Sequence, residues 1–199
     1  RQMCIRDRFG VEVDNLWLPD VFGYSAALPQ ILKKSGVNYF LTQKLSWSQY
    51  NEFPHHTFNW RGIDGSEVLT HFPPENTYNS ELDTEFLIPA QKHFKEKAYL
   101  DEFISLFGVG NGGGGPKPEN IELGHRMSNL ESSPKVKFDL ARNFFKRLDK
   151  NKESLETWVG ELYLELHRGT LTTHGLVKKQ NRKLEIKLSN VEMYWSCLD

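Results

Sequence analysis

The stretch from residue 16 to residue 74 reads "LWLPDVFGYSAALPQILKKSGVNYFLTQKLSWSQYNEFPHHTFNWRGIDGSEVLTHFPP". The runs "VDNLWLP" (13–19) and "VNYFLTQ" (37–43) predict strands, because β-branched and aromatic residues pack well on a pleated sheet. Between them, Leu28, Ile31 and Leu32 recur at the spacing of one helical face. Strand, helix and strand in this order indicate a βαβ unit on a mainly parallel sheet.

The same alternation of strand and helix signals continues outward from this stretch. Asp64-Gly65, between two extended runs, predicts a hairpin. The remaining pattern predicts strands at residues 103–110, 135–139 and 155–166, and helices at about 81–100, 116–130, 139–150 and 175–195. The sequence therefore predicts an α/β fold, a mainly parallel sheet with flanking helices, and a last helix that begins a separate helical domain.

The composition narrows the classes of partner. The 199 residues are 38% apolar, which is enough for a core, and carry a net charge of −1. That charge argues against a broad electrostatic surface for nucleic acid, and no apolar run is long enough to predict a membrane span. The two cysteines, Cys4 and Cys197, form no disulfide framework, which favours a reducing, cytoplasmic compartment.

The two ends of the chain look unlike a complete protein. Residues 1–8, "RQMCIRDR", do not continue smoothly into "FGVEVDNLWLPD" and look like translated adapter sequence. The chain also lacks an initial methionine and stops inside a helix-like pattern. We therefore expect an internal fragment, with a non-native segment at 1–8, an α/β domain at 9–174 and the start of a helical domain at 175–199.

Asp20 is the sharpest candidate for chemistry. It follows the first predicted strand, and Gly23 lets the backbone turn just after it. A carboxylate placed there can act as a nucleophile, a general base or a metal ligand. The alternative is a helix N-cap, since aspartate caps helices well. The local pattern leaves both interpretations open.

A second group of candidates suits a sugar, because aromatic rings pack on the apolar faces of a sugar while amides and cations bond its hydroxyls. These residues follow the second predicted strand: Gln43, Lys44, Trp47, Tyr50, Asn51 and Trp60. The alternative is a buried aromatic core with a polar rim. Among the seven histidines no metal-binding spacing occurs, and only His71, which ends a strand and precedes a loop, stands out.

The glycine run "GVGNGGGGP" raises a third possibility. Gly108, Gly110 and Gly113 match the spacing G-x-G-x-x-G of dinucleotide-binding loops. In such loops the helix begins inside the motif, so that its N–H groups meet the pyrophosphate. Here Pro116 and Pro118 place the helix start later, which makes a dinucleotide site across Gly108–Gly113 a weak alternative.

Several long motifs in order resemble family 38 glycoside hydrolases, the α-mannosidases, and specifically the cytosolic or vacuolar branch with its bacterial members. The motifs are the stretch 16–74, "GNGGGGP" and "TWVGELYLELHRGTLTTHGLVKKQNRKLE", and the resemblance covers about residues 9–199. It implies part of an α/β catalytic domain at 9–174, followed at 175–199 by the first helix of a helical bundle.

The resemblance also implies a mechanism and a metal. It makes Asp20 the nucleophile of a retaining α-mannosidase and one ligand of a zinc ion. A second carboxyl, about 5–5.5 Å from the first, acts as acid and then as base. The family takes its other zinc ligands from an H-x-D motif upstream and a histidine motif downstream, and neither is present here. We therefore expect the 199-residue chain to be inactive alone.

The implied partners are α-mannoside oligosaccharides and the remaining domains of the same parent chain, with neither nucleic acid nor a membrane. A homo-oligomer is compatible with the resemblance.

One position departs from the family pattern. Family members usually read "G-D-G-G-G-G-P", with the aspartate placed as acid/base, whereas this chain has Asn111. An amide cannot donate and retrieve a proton at pH 7. Either another carboxylate is used, or Asn111 positions one, or the parent is impaired and binds carbohydrate without catalysis. The resemblance further places Lys44, His71 and Tyr78 on the substrate side, and Trp47 joins them as an aromatic face.

Overall fold

The computed structural model describes residues 8–110 and 113–197, so that Asn111 lies outside the described residues. The chain divides into two compact units between Glu165 and Leu166. The first unit holds a sheet with its flanking helices. The second holds one long helix.

The first unit is built on a five-stranded sheet in the order β1-β2-β4-β3-β5. All pairs are parallel except β3 with β4, which form the hairpin predicted at Asp64-Gly65. Gly65 in its turn has a φ of +85°, a left-handed conformation that glycine adopts without strain. The strands are β1 (Asn15–Trp17), β2 (Tyr39–Leu41), β3 (Thr57–Arg61), β4 (Glu67–His71) and β5 (Thr157–Val159).

The carboxyl ends of three strands meet at one edge of the sheet. β1, β2 and β4 run in the same direction, and their last residues, Trp17, Leu41 and His71, pair in register. The loops that leave these strands, 18–24, 42–47 and 72–80, therefore begin side by side. This is the edge at which open α/β sheets bind ligands.

Helices cover both faces of the sheet. They are α1 (Leu28–Lys34), α2 (Thr84–His93), α3 (Pro118–Arg126) and α4 (Ala141–Leu148), and α5 (Gly175–Ser196) forms the second unit. Alternate strand residues face opposite sides, so Phe40 and Val68 pack toward Leu32 of α1. Tyr39 and Leu69 instead join a second core with Phe145 of α4. The predicted α/β class with a mainly parallel sheet is confirmed.

Two predicted strands are wrong. Residues 103–110 make only isolated bridges, Ser80 with Phe107 and Val109 with Gly114, and no ladder. Residues 135–139 are irregular, although Val136 N–H donates to the Met127 carbonyl. Both segments carry suitable side chains, but a strand also needs a partner along its whole length, which sequence does not reveal.

Helix α5 carries apolar side chains at the spacing of one face. Leu184, Leu188, Val191 and Trp195 are all more than half exposed. Its position as the first helix of a bundle remains a prediction. Among residues 8–110 and 113–197, no helix is both long and apolar enough to cross a membrane.

Candidate active site

The loop that carries Asp20 is held at both ends. At its start, Leu18 N–H donates to the Leu41 carbonyl at 2.9 Å, which continues the β1–β2 pairing. At its end, the Tyr24 hydroxyl lies 2.6 Å from the Leu18 carbonyl and 2.7 Å from Thr42 Oγ1. Gly23 makes the return with a φ of +101°. This loop therefore has a fixed path beside the residues that follow β2.

Asp20 and Lys44 form an ion pair across two neighbouring strand ends. Asp20 Oδ1 lies 2.6 Å from Lys44 Nζ, and the side chains are 49% and 5% exposed. The carboxylate thus faces solvent while the cation behind it is buried. The interpretation of Asp20 as a helix cap is wrong, because the next helix is capped at Ala27, without a side-chain bond.

Aromatic rings surround the buried cation. Lys44 Nζ lies 3.3 Å from the centroid of the Trp47 ring and 5.9 Å from that of Tyr78, within the range of cation–π attraction. The structure therefore brings together Asp20, Lys44, Trp47 and Tyr78, which we call the Asp20 cluster. Trp47 is 48% exposed, so that much of its ring is open to solvent.

Gln43 ties two strand-end loops together beneath the cluster. Its Nε2 donates to Ser46 Oγ at 2.7 Å and to the carbonyl of Asn76, in the loop that carries Tyr78. The aromatic core alternative holds for Trp60, which is fully buried, whereas Tyr50 is exposed. Sequence reasoning missed Tyr24 and Thr42, although both lie within the motifs that flank Asp20 and Lys44.

The glycine run approaches the cluster from the other side. A Cβ on Gly110 would lie 2.5 Å from Asn79 Oδ1 and 2.9 Å from Tyr78 Cε2, so a larger residue would force these side chains or the loop to shift. Val109 and Gly114 exchange backbone hydrogen bonds and close the loop upon itself. Helix α3 starts only at Pro118. The geometry does not match a dinucleotide loop, in which the helix opens within the glycines.

His71 lies in the core rather than in the cluster. Its side chain is fully buried, and Ile104 N–H donates to Nε2 at 3.4 Å. The proton of the neutral ring is then on Nδ1, which lies 2.8 Å from Thr57 Oγ1. Burial holds the pKa of His71 well below its usual range. The predicted substrate contact of His71 therefore finds no support in this arrangement, since both ring nitrogens are engaged internally.

A large open cavity extends away from the cluster. Its volume is about 1040 Å³, and its wall includes Trp17, Tyr78, Gly110, Phe138 and Arg147. The cavity thus runs from the end of β1, past the glycine run, to α4. The wall combines aromatic and aliphatic side chains with polar and charged ones, a composition that suits a polyhydroxylated ligand.

The described residues do not form a metal centre by themselves. No three histidine, cysteine, aspartate or glutamate side chains in 8–110 and 113–197 are placed to hold one ion. Asp20 offers a single carboxylate, which already pairs with Lys44. Protein zinc sites use three or four protein ligands, so the residues in hand do not fit a complete zinc site.

An open carboxylate beside a buried cation and aromatic faces, at the carboxyl edge of a parallel sheet, is the kind of site that α/β glycoside hydrolases build. Residues 2–161 match the glycosyl hydrolases family 38 N-terminal domain, and the chain belongs to this family.

Known relatives agree with this assignment. The chain is 45% identical to alpha-mannosidase G of Dictyostelium discoideum over 98% of its length, and 47% identical to human alpha-mannosidase 2C1 over 93%. It spans only 18% of each of these proteins. A crystal structure of an alpha-mannosidase from Enterococcus faecalis V583 shares the fold, with a TM-score of 0.56 and 18% identity over 79% of this chain and 19% of that one.

Proposed function

We propose that the protein containing this chain is a retaining α-mannosidase that removes terminal α-mannosides from oligosaccharides, with Asp20 as nucleophile. The observation that carries this proposal is the half-exposed Asp20 carboxylate, fixed at 2.6 Å from the buried Lys44 ammonium at the carboxyl edge of the sheet. Its relatives are named alpha-mannosidases, which supports the substrate class. A nucleophile must be both reachable and oriented, and this carboxylate meets both conditions.

The chemistry follows from these positions. A carboxylate oxygen of Asp20 attacks the anomeric carbon, and the bond to the leaving oxygen breaks while that oxygen takes a proton from an acid. Water then replaces Asp20 at the anomeric carbon. Lys44 keeps the carboxylate in one orientation, and the open face of Trp47 packs against the sugar ring. The Tyr78 ring, 5.9 Å from Lys44 Nζ, joins this cluster to the neighbouring cavity, whose wall it also lines.

Covalent trapping tests this assignment. The full-length protein is incubated with a fluorinated mannosyl fluoride, which slows hydrolysis of the glycosyl-enzyme, and is then digested for peptide mass spectrometry. We expect the added mannosyl mass on the peptide that contains Asp20, and its loss in Asp20→Asn. Asp64→Asn, a change at an exposed hairpin turn, is the matched control and should label normally. Label on another carboxylate would refute the role of Asp20.

The residue that acts as the general acid decides between an active α-mannosidase and a protein that only binds carbohydrate. With Asn111 at the usual acid/base position, the parent could bind carbohydrate without hydrolysing it. Replacing Asn111 with Asp in the full-length protein distinguishes the two. A large gain in rate identifies an impaired or non-catalytic parent, while an unchanged rate in an active enzyme places the acid elsewhere.

We propose that zinc is bound by the full-length protein and not by this chain alone. Asp20 would contribute one carboxylate, and the other ligands would come from outside this chain. Elemental analysis of the full-length protein should find one zinc per chain, with a marked loss in Asp20→Asn. The 199-residue chain alone should bind no zinc tightly and turn over no α-mannoside, because its described residues supply an incomplete site.

Two smaller proposals complete this function. We infer a cytosolic protein, because a sequence with only two cysteines, at its opposite ends, makes no disulfide framework. We also expect no binding of NAD in a calorimetric titration, because the glycine run closes on itself before α3 begins.

A further inference from the structure

Glu75 joins the two segments that border the Asp20 cluster and the glycine run. It lies in the loop that follows β4, three residues before Tyr78. The Ser105 hydroxyl spans both carboxylate oxygens, at 2.9 Å from Oε1 and 2.7 Å from Oε2. The Ser80 hydroxyl donates to Oε1 at 3.0 Å. One half-buried carboxylate thus takes hydroxyl bonds from both segments.

Backbone contacts continue this connection toward the glycines. Ser80 N–H donates to the Leu106 carbonyl at 2.8 Å, which sets the register between the two segments. Four residues further on, Gly110 lies directly against Asn79 and Tyr78. Asn79 Oδ1 is buried there without a hydrogen-bond partner among the described residues. The path of the chain into the glycine run is therefore fixed by the segment 75–80.

We propose that Glu75 is a positioning residue of the active site, which holds residues 104–110 against the segment that carries Tyr78 and so places the glycine run beside the Asp20 cluster. The inference rests on the proposed α-mannosidase function. Glu75 itself touches neither Asp20 nor Lys44 in any recorded contact, so it acts through Ser105 and Ser80. The segment 103–110 makes isolated bridges but no strand ladder, so these side-chain bonds add to a small number of backbone restraints.

The charge state of Glu75 gives this restraint a pH dependence. Burial raises the pKa of Glu75 to about 7, while the bonds from Ser105 and Ser80 lower it and the charge of Asp83 raises it further. From α2, His93 faces the same loop, with Nδ1 at 3.3 Å from the Pro74 carbonyl and Nε2 at 3.0 Å from Glu52. The ionised carboxylate accepts from both serines, whereas the protonated group has lost acceptor capacity.

The test uses the full-length enzyme and an α-mannoside substrate, with kcat and KM measured from pH 5.5 to pH 9. Glu75→Gln removes the charge without changing shape, so we expect kcat at pH 8.5 to fall about tenfold, as small misplacements of reacting groups do. KM should change less than about twofold, since the substrate contacts remain. The inflection of kcat near pH 7 should disappear in the variant, because the amide does not titrate.

Companion variants separate positioning from general damage. Ser105→Ala should lower kcat similarly, and the double variant should be no worse than Glu75→Gln alone, because both remove the same link. Glu85→Gln, at an exposed position on α2, is the matched control and should keep the wild-type profile.

The two ways of failing are distinct. A wild-type enzyme without α-mannosidase activity overturns the proposed function and this inference with it. An active wild type whose Glu75→Gln variant keeps its kcat and its inflection near pH 7 overturns the inference alone. Additive losses in the double variant would also overturn it.

Discussion

Two regions at the carboxyl edge of the sheet differ in whether their carboxylate is exposed to solvent or buried. In the Asp20 cluster, a buried ammonium meets a carboxylate that is half open to solvent. The second region contains His56, which comes just before β3, and Glu96, which follows α2. Both residues are buried, and we call this the His56 region. Here Glu96 accepts from the backbone N–H groups of His56 and Thr57, at 3.1 and 2.9 Å from Oε2.

The comparison shows that one edge of the sheet can carry both a reactive side chain and side chains that stabilise the fold. The Asp20 cluster leaves a charged oxygen where a ligand can reach it. In the His56 region the buried side chains hold backbone groups, with the Lys95 N–H donating to His56 Nδ1 at 3.1 Å. Changes in the first region should therefore alter activity more than stability, and changes in the second should do the reverse.

The largest expected effect is on catalysis at Asp20. In the full-length enzyme, Asp20→Asn should lower kcat/KM at least about a thousandfold, or about 4 kcal/mol of transition-state stabilisation. The free energy of unfolding of the 199-residue chain should fall by less than this, by about 1–2 kcal/mol, because the buried Lys44 ammonium loses its carboxylate partner but keeps the Trp47 ring. Steady-state kinetics and urea unfolding measure the two quantities. Comparable losses in both would remove the distinction between the regions.

The second prediction concerns the stability of the His56 region in acid. Burial lowers the pKa of His56 from 6.5 to about 4, with smaller effects from His93, Lys95 and His55 that lower it and from Glu52 that raises it. The unfolded chain therefore takes up a proton as the pH falls below 6.5, whereas the folded chain does not until about pH 4. The contribution of His56 is fully present above pH 6.5 and is lost on acidification, by up to about 3 kcal/mol.

Urea unfolding at intervals from pH 7.5 to pH 4 measures this loss. His56→Gln, compared with the wild type, isolates the part that belongs to this ring, because the variant cannot titrate there. His125→Gln, at an exposed position, is the control for the substitution itself. A ring titration near pH 6.5 for His56, measured by NMR in the folded chain, would contradict the prediction.

The third prediction concerns Lys44, the buried partner of Asp20 in the ion pair. Lys44→Met keeps an unbranched apolar stem against Trp47 but removes the charge that orients Asp20. We expect kcat/KM of the full-length enzyme to fall about a hundredfold, or about 2.7 kcal/mol. The free energy of unfolding should stay within about 1 kcal/mol of the wild type, because buried ion pairs can often be replaced by apolar groups. A collapse of stability with unchanged kinetics would make Lys44 a structural residue.

Sequence alone predicted much of this edge, because Asp20 and Lys44 each follow a strand and parallel strand ends share one edge. It did not reveal which of the side chains at the strand ends are exposed to solvent. His71 also ends a strand, yet it shares a face with Leu69 and so points into the second core. The alternation of strand residues between the two faces of the sheet could have been used to predict this from the sequence. The bonds of Glu75 to Ser80 and Ser105 could not have been predicted in this way, because they join segments whose pairing depends on the tertiary fold.

The smallest expected effect concerns Gly110, which borders the Asp20 cluster at Tyr78. Gly110→Ala would place a methyl group 2.5 Å from Asn79 Oδ1 and 2.9 Å from Tyr78 Cε2, so Asn79, Tyr78 or the loop must shift. Asn79 is a short side chain that can yield only in part, and we expect kcat/KM to fall about tenfold, or about 1.4 kcal/mol. Gly115→Ala is the matched control in the same run, since a Cβ there meets nothing within 4 Å. If both variants lose activity equally, the run needs flexibility rather than close contact, and the argument that Tyr78 and Asn79 fix its path fails.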